Sequence, residues 1–272
     1  MGESKCGKGS EEVVIQHCSD KCEWNSLKSH LAEAKDHSLA SAAVRSAMVG
    51  RTIPTIRMIY LVPRDRQHLA AFELGMSRAI VDLQKWFFDQ MADGSTFTLH
   101  QPVVEVFGTQ HDAAWYADNP SGPFSFWNNV VADGFSLTSG GYDDPLNRWI
   151  YYIDAQNNPG TNGGGGASGV AVLPRDDLLG LIGQGSGSIC RWIGGLGHEL
   201  GHALGLPHPT QCENGSLPQS HPTCQSLMYL GYLIYPNTTL LPSDRAALTA
   251  SGFFAKTTPP QASDCSQFNS MA

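Results

Sequence analysis

The chain has 272 residues, with 25 Asp plus Glu against 17 Lys plus Arg and a net charge of -8; no basic run offers a track for a phosphate backbone, which excludes nucleic acid as a partner. Charged residues are 15% of it, against about 25% in an average soluble protein, and glycines number 29, so it reads as loop-rich, globular and long enough to bury a substantial core. Its longest apolar stretches are strand-sized, far short of the roughly 20 residues of a membrane span, so no transmembrane segment is expected.

Residues 1–50 stand apart, carrying Cys6, Cys18 and Cys22 among many Lys and Ser and then an Ala-rich helical pattern over Trp24–Met48. With few large apolar residues that helix is a poor core element, and the segment reads as an appendage or pro-segment. The first 15 residues lack an apolar h-region, so no secretory signal is read there.

From Ile53 the character is that of an α/β domain. Thr55–Val62 is β-rich and stops at Pro63, which predicts a strand. Phe72, Met76, Ile80, Leu83 and Phe87 recur at steps of three and four, predicting a long helix that ends near Gly94. Phe97–Phe107 reads as a second strand, bent or at an edge where Pro102 removes a ladder donor. Short helices or an ordered insertion are expected around Trp115 and over Phe124–Val131, followed by a third strand over Trp149–Ile153. Asn157–Gly169 is so rich in Gly and Asn that it reads as loop. Its Gly163–Gly166 run lacks the Lys-Ser or Lys-Thr ending of a Walker loop and so is not taken as a phosphate cradle. Gly169, Val170, Ala171, Val172, Leu173 and Pro174 form a short fourth strand.

The strongest chemical signal is Gly197-His198-Glu199-Leu200-Gly201-His202-Ala203-Leu204-Gly205-Leu206-Pro207-His208. Residues four apart on a helix lie one turn above each other, so His198 and His202 can present imidazole nitrogens to one ion. Zinc favours such ligands in a tetrahedral site, and a catalytic site leaves one position for water. Glu199, one step round the helix, can reach that water without ligating the metal, which makes it the general base. Gly205 lets the chain stop the helix and turn through positive φ, Pro207 keeps the helix from resuming, and His208 swings back as third ligand.

This segment resembles the metzincin clan of zinc metalloproteases, whose signature is H-E-x-x-H-x-x-G-x-x-H followed by a Met-turn. Ser226-Leu227-Met228-Tyr229 is the candidate Met-turn, and the resemblance makes Met228 a hydrophobic floor beneath the three histidines. Where astacin-like and serralysin-like members place a tyrosine two residues after that methionine, this chain has Leu230; Tyr232, flanked by Tyr229 and Tyr235, is the candidate oxyanion donor. The resemblance implies a twisted mixed sheet with a long backing helix, an active-site helix and an irregular C-terminal subdomain. It divides residues 51–272 into an upper subdomain to about 205 and a lower one from about 206. It also implies an edge strand that binds substrate antiparallel, which by position is Gly169, Val170, Ala171 and Val172. Some zymogens of the clan are silenced by a pro-segment cysteine, of which Cys6-Gly7 is a faint echo; a disulfide is the simpler role.

The expected activity is therefore zinc-dependent endopeptidase action on a protein or peptide. One rival is a zinc site completed by a downstream carboxylate, with Asp244 the test position. The other is a non-catalytic metal-containing module that binds protein or glycan through loops such as Trp115–Trp127. A structural Ca2+ is weighed against plain turns at Gly140–Asp144 and Asn157–Gly163. Seven cysteines cannot all pair within one chain; Cys212 and Cys224 bracket a loop rich in Pro, Ser, Asn and Gly that a disulfide would stiffen. With sequons at Asn214 and Asn237, this favours a secreted protein over one with reduced, buried thiols.

Overall fold

The computed structural model describes residues 53–122, 124–157, 163–262 and 264–270. The readings placed on residues 1–50, including the Trp24–Met48 helix and Cys6, lie outside the described residues.

The first strand, β1, spans Thr55–Val62 as its β-branched run predicts, and it is buried from Met58 onward. A 22-residue helix, α1 (Ala70–Met91), carries Phe72, Met76, Ile80, Leu83 and Phe87 on its buried side. It ends where Ala92 takes a left-handed conformation at φ 58°. β2 (Ser95–Gly108) pairs parallel with β1 on both sides of a register shift between Ile56 and Met58; Pro102 lies between the paired segments Thr98–Leu99 and Val104–Gly108. The ladder is interrupted there, at the proline that supplies no donor. Short helices α2 (Ala113–Asp118) and α3 (Ser125–Thr138) follow, then β3 (Asn147–Ile153).

The Gly-rich segment departs from the loop reading, because Gly165–Ala167 forms a strand, β4, antiparallel to β5 (Val170–Leu173). Local propensity is against a strand of glycines, but pairing with β5 and burial on the next helix supply what propensity withholds. The sheet order is β4-β5-β3-β1-β2-β6, with β6 (Phe254–Lys256) antiparallel to β2. Four central strands are parallel and an antiparallel strand flanks them on each side. This overturns the assignment of Gly169, Val170, Ala171 and Val172 to the edge. β5 is hydrogen-bonded to β3 and β4 on its two sides, so the edge on that side of the sheet is β4.

Ile56, Met58, Tyr60, Ile150, Tyr152, Ala171 and Leu173 share a core with α1 and with two further helices, α4 (Arg175–Leu181) and α5 (Ile189–Ala203). On the opposite side of the sheet Tyr151 meets α3, where Phe135 packs on its ring and Thr138 hydrogen-bonds its hydroxyl at 2.9 Å. A sheet buried on both faces reads as near-continuous apolar runs, as β1 and β3 do. The fold is α/β, with a mixed sheet between helices. Beyond α5 the chain is mostly irregular: α6 (Thr210–Glu213), 3-10 turns at Pro222–Gln225 and Gly231–Ile234, and α7 (Pro242–Ala250). Disulfides Cys190–Cys265 and Cys212–Cys224 tie this segment down; the second is the pair its loop composition suggested.

Candidate metal centre

Ser188 opens α5 by accepting the Cys190 N–H on its side-chain oxygen. The helix closes in a Schellman motif: Gly205 N–H bonds His202 O and Leu206 N–H bonds Gly201 O, both at 2.9 Å. Gly205 sits at φ +91°, the positive φ that the sequence required of it. The same turn has a second consequence, because the Leu206 carbonyl returns to accept from Nδ1 of His202 at 2.8 Å.

His198 and His202 are buried one turn apart on α5, and His208 comes back from the turn to meet them. Their Nε2 atoms form a triangle with sides of 3.0–3.1 Å. The far nitrogen of each ring is held: Nδ1 of His198 by Leu227 O at 2.8 Å, of His202 by Leu206 O, and of His208 by a carboxylate oxygen of Glu213 at 3.1 Å. A carbonyl or carboxylate oxygen only accepts, so each neutral ring carries its proton on Nδ1 and turns a bare Nε2 lone pair to the centre. Three lone pairs facing one another repel unless a cation lies among them. Tetrahedral zinc with bonds of about 2.0–2.1 Å spaces its nitrogens by about 3.3 Å, close to the spacing here. The cluster fits a metal ion. Burial, reinforced by the neighbouring His208 imidazole, pushes the His198 imidazole down to about 3, which keeps it neutral.

Among the described residues this triad is the one group of three or more His, Cys, Asp or Glu side chains able to share an ion. Asp244, offered as a carboxylate ligand, instead accepts the Leu241 N–H at the start of α7 at 2.9 Å. In the Gly140–Asp144 loop, Asp144 is occupied by the N–H groups of Leu146 and Asn147 and the side chain of Asn147, the pattern of a plain turn. The other loop weighed for calcium falls largely outside the described residues.

Met228 is fully buried, and its sulfur lies against α5 at Gly201, where a Cβ would overlap Sδ and come within 2.9 Å of Cε. Glu199 follows His198 on α5 and is partly exposed. Its carbonyl backs onto β4 so closely that a Cβ on Gly166 would overlap it. β4 is thereby set directly against α5. Tyr232 packs its ring 5.5 Å from that of His198, and Tyr229 sits edge-on to His208 at 5.9 Å. Tyr235 is turned into the core, where its hydroxyl donates to Asp82 at 2.6 Å. Sequence reasoning missed the acceptors behind the three rings, Glu213 above all. The signal within reach was a Glu five residues past the third histidine, beyond the helix-starting Pro209.

No protein-family model and no curated protein matches the chain. Among solved structures it is similar to OgpA from Akkermansia muciniphila, with 21% identity and a TM-score of 0.50 over 78% of this chain and 64% of that one. Metalloproteinase-II from Bacteroides fragilis matches at 15% identity and a TM-score of 0.39, over 75% of this chain and 55% of that one. The chain thus spans less than two thirds of OgpA's length. What it has in common with OgpA is the fold; within that fold this chain carries a three-histidine cluster able to hold a metal ion.

Proposed function

We propose that the protein is a zinc-dependent endopeptidase of metzincin type, acting in an oxidising, extracellular setting. The observation that carries the reading is the convergence of three Nε2 atoms, each with its opposite ring nitrogen held by an oxygen acceptor. His198, His202 and His208 would hold the ion. Bound zinc supplies Lewis acidity, lowering the pKa of its water toward neutrality and polarising a peptide carbonyl.

The chain's own residues do the rest. The Glu199 carboxylate takes a proton as water oxygen adds to the scissile carbonyl, then delivers it to the amine as the C–N bond breaks. Tyr232 donates a hydrogen bond to the carbonyl oxygen as charge develops there. Met228 forms the apolar floor under the ligands. An extended substrate pairs through its backbone with the outer edge of β4, which the contact between Gly166 and Glu199 sets beside the reacting groups. Two disulfides and the lack, among the described residues, of a helix long and apolar enough to cross a membrane agree with an extracellular protein.

The test is elemental analysis of wild type and Glu199→Gln, alongside phenanthroline-sensitive cleavage of casein. About one zinc per chain is expected in both proteins, with turnover at least about 100-fold lower in the variant. Full cleavage by homogeneous Glu199→Gln refutes the general base. Zinc without hydrolysis of any peptide favours the metal-containing binding module instead.

A further inference from the structure

The three ligands are not oriented alike. His198 and His202 lean on main-chain carbonyls, those of Leu227 and Leu206, which the Met-turn and the Schellman turn hold in place. His208 leans on a side chain, the carboxylate of Glu213, which is about one third exposed. A free glutamate side chain samples many rotamers, so this bond requires its backbone to be pinned. Three constraints pin it. Cys212, the residue before it, is bonded to Cys224. The buried Tyr229 hydroxyl donates to the Cys212 carbonyl at 3.1 Å. The N–H of Glu213 itself returns to Pro209 O at 3.2 Å. Cys212, Cys224 and Tyr229 form a small apolar cluster of their own, with Leu217 and Leu230 packed against it.

We infer that Glu213 is the positioning residue for His208, and that the Cys212–Cys224 disulfide serves the metal centre by holding Glu213 in place. The inference rests on the metal reading of the triad. A carboxylate on Nδ1–H fixes the tautomer and the ring plane and makes Nε2 a stronger donor; loss of such a partner typically costs 10- to 100-fold in metal affinity. A ligand reached through a short disulfide-closed loop is the one whose geometry that loop can spoil without touching the helix that carries the other two.

The experiment uses the full chain, with zinc and cobalt as probes. Zinc affinity is read by chelator competition in wild type, Glu213→Ala, Glu213→Gln, the Cys212→Ser/Cys224→Ser pair, and that pair combined with Glu213→Ala. Glu213→Ala is expected to weaken zinc by about 10- to 100-fold. Glu213→Gln, which still accepts from Nδ1–H, should recover most of it. The serine pair should weaken zinc in the same direction, and adding Glu213→Ala to it should cost little more, since both changes remove one interaction. In metal-free protein, nitrogen NMR of labelled histidine should show His208 leaving the Nδ1–H tautomer in Glu213→Ala and keeping it in Glu213→Gln, while His198 and His202 stay as they are. The cobalt spectrum should change with the alanine variant alone of the two Glu213 substitutions. Unaltered zinc affinity and an unaltered His208 tautomer in Glu213→Ala overturn the positioning role. Fully additive losses overturn its link to the disulfide. A wild-type chain that binds neither zinc nor cobalt overturns the metal reading itself.

Discussion

At the scale of single residues, the candidate site depends on how close Met228 lies to α5. A Cβ on Gly201 would overlap the Met228 sulfur, so Gly201→Ala overpacks a fully buried contact. The gain in helix propensity, about 1 kcal/mol, is set against an overpacking cost of about 1–3 kcal/mol. Urea unfolding of Gly201→Ala, Met228→Ala and the double variant should show the double less destabilised than the sum of the singles; strict additivity would show that the two do not meet. Asp177 makes a different point. It is buried on α4 with one carboxylate oxygen lacking any hydrogen bond, and burial, partly offset by Arg191, raises its carboxyl from 3.8 to about 7. Below about pH 4 both folded and unfolded chains hold this proton. As pH rises toward 7 the unfolded chain ionises first, so folding loses up to about 4 kcal/mol over that window. Asp177→Asn should therefore gain stability over wild type steadily from pH 4 to pH 7, read by denaturant midpoints; an equal difference at both ends would sink the argument.

At the scale of elements, β1, α1, β3, β5 and α5 stand where hydrophobic periodicity and the metal motif put them. The strand identities that matter for substrate were not readable in the same way. β4 and β5 are both short, and whether a strand lies inside a sheet or at its rim depends on what pairs with its far side, which no local pattern encodes. Glycine at 166 is explained only by tertiary contact, since a Cβ there would overlap the Glu199 carbonyl and come within 3.0 Å of the His202 Cβ. Backbone cannot yield as a flexible side chain does. Gly166→Ala should thus push β4 off α5 and lower kcat/KM on an extended peptide by about 100-fold, the cost of an ångström of misplacement, while zinc content holds near one per chain. Loss of zinc together with activity would place the damage in the ligands instead.

At the scale of the whole molecule, the two disulfides divide two tasks. Cys190–Cys265 closes 75 residues and joins the start of α5 to the end of the described chain, whereas Cys212–Cys224 closes 12. Chain entropy makes the long closure worth about 4.5 kcal/mol and the short one about 3 kcal/mol. Replacing Cys190 and Cys265 by serine should thus cost more in thermal stability, and replacing Cys212 and Cys224 should cost more in zinc affinity. Calorimetry set beside chelator competition tests the crossed order; a single ranking in both would mean that neither disulfide has a local task. The core is shared along the chain, for Leu227, Met228, Tyr235, Leu248 and Phe253 from the irregular C-terminal segment pack in the same cluster as α1 and α5.

Whatever follows from short-range geometry was legible in the residues alone. Two histidines four apart must share a helix face, a glycine and a proline must end that helix before a third histidine, and a loop poor in apolar residues between two cysteines invites a bond. The tertiary structure decided the orientation of each imidazole, through oxygens of Leu206, Glu213 and Leu227, of which the last is 29 residues from its ring. It also decided which strand forms the rim of the sheet and how tightly Met228 fits beneath the helix. The reason is common to all three. Hydrogen-bond acceptors, strand neighbours and packing gaps are supplied by parts of the chain that meet only after folding, so the motif could name the candidate histidines while the fold alone could aim them.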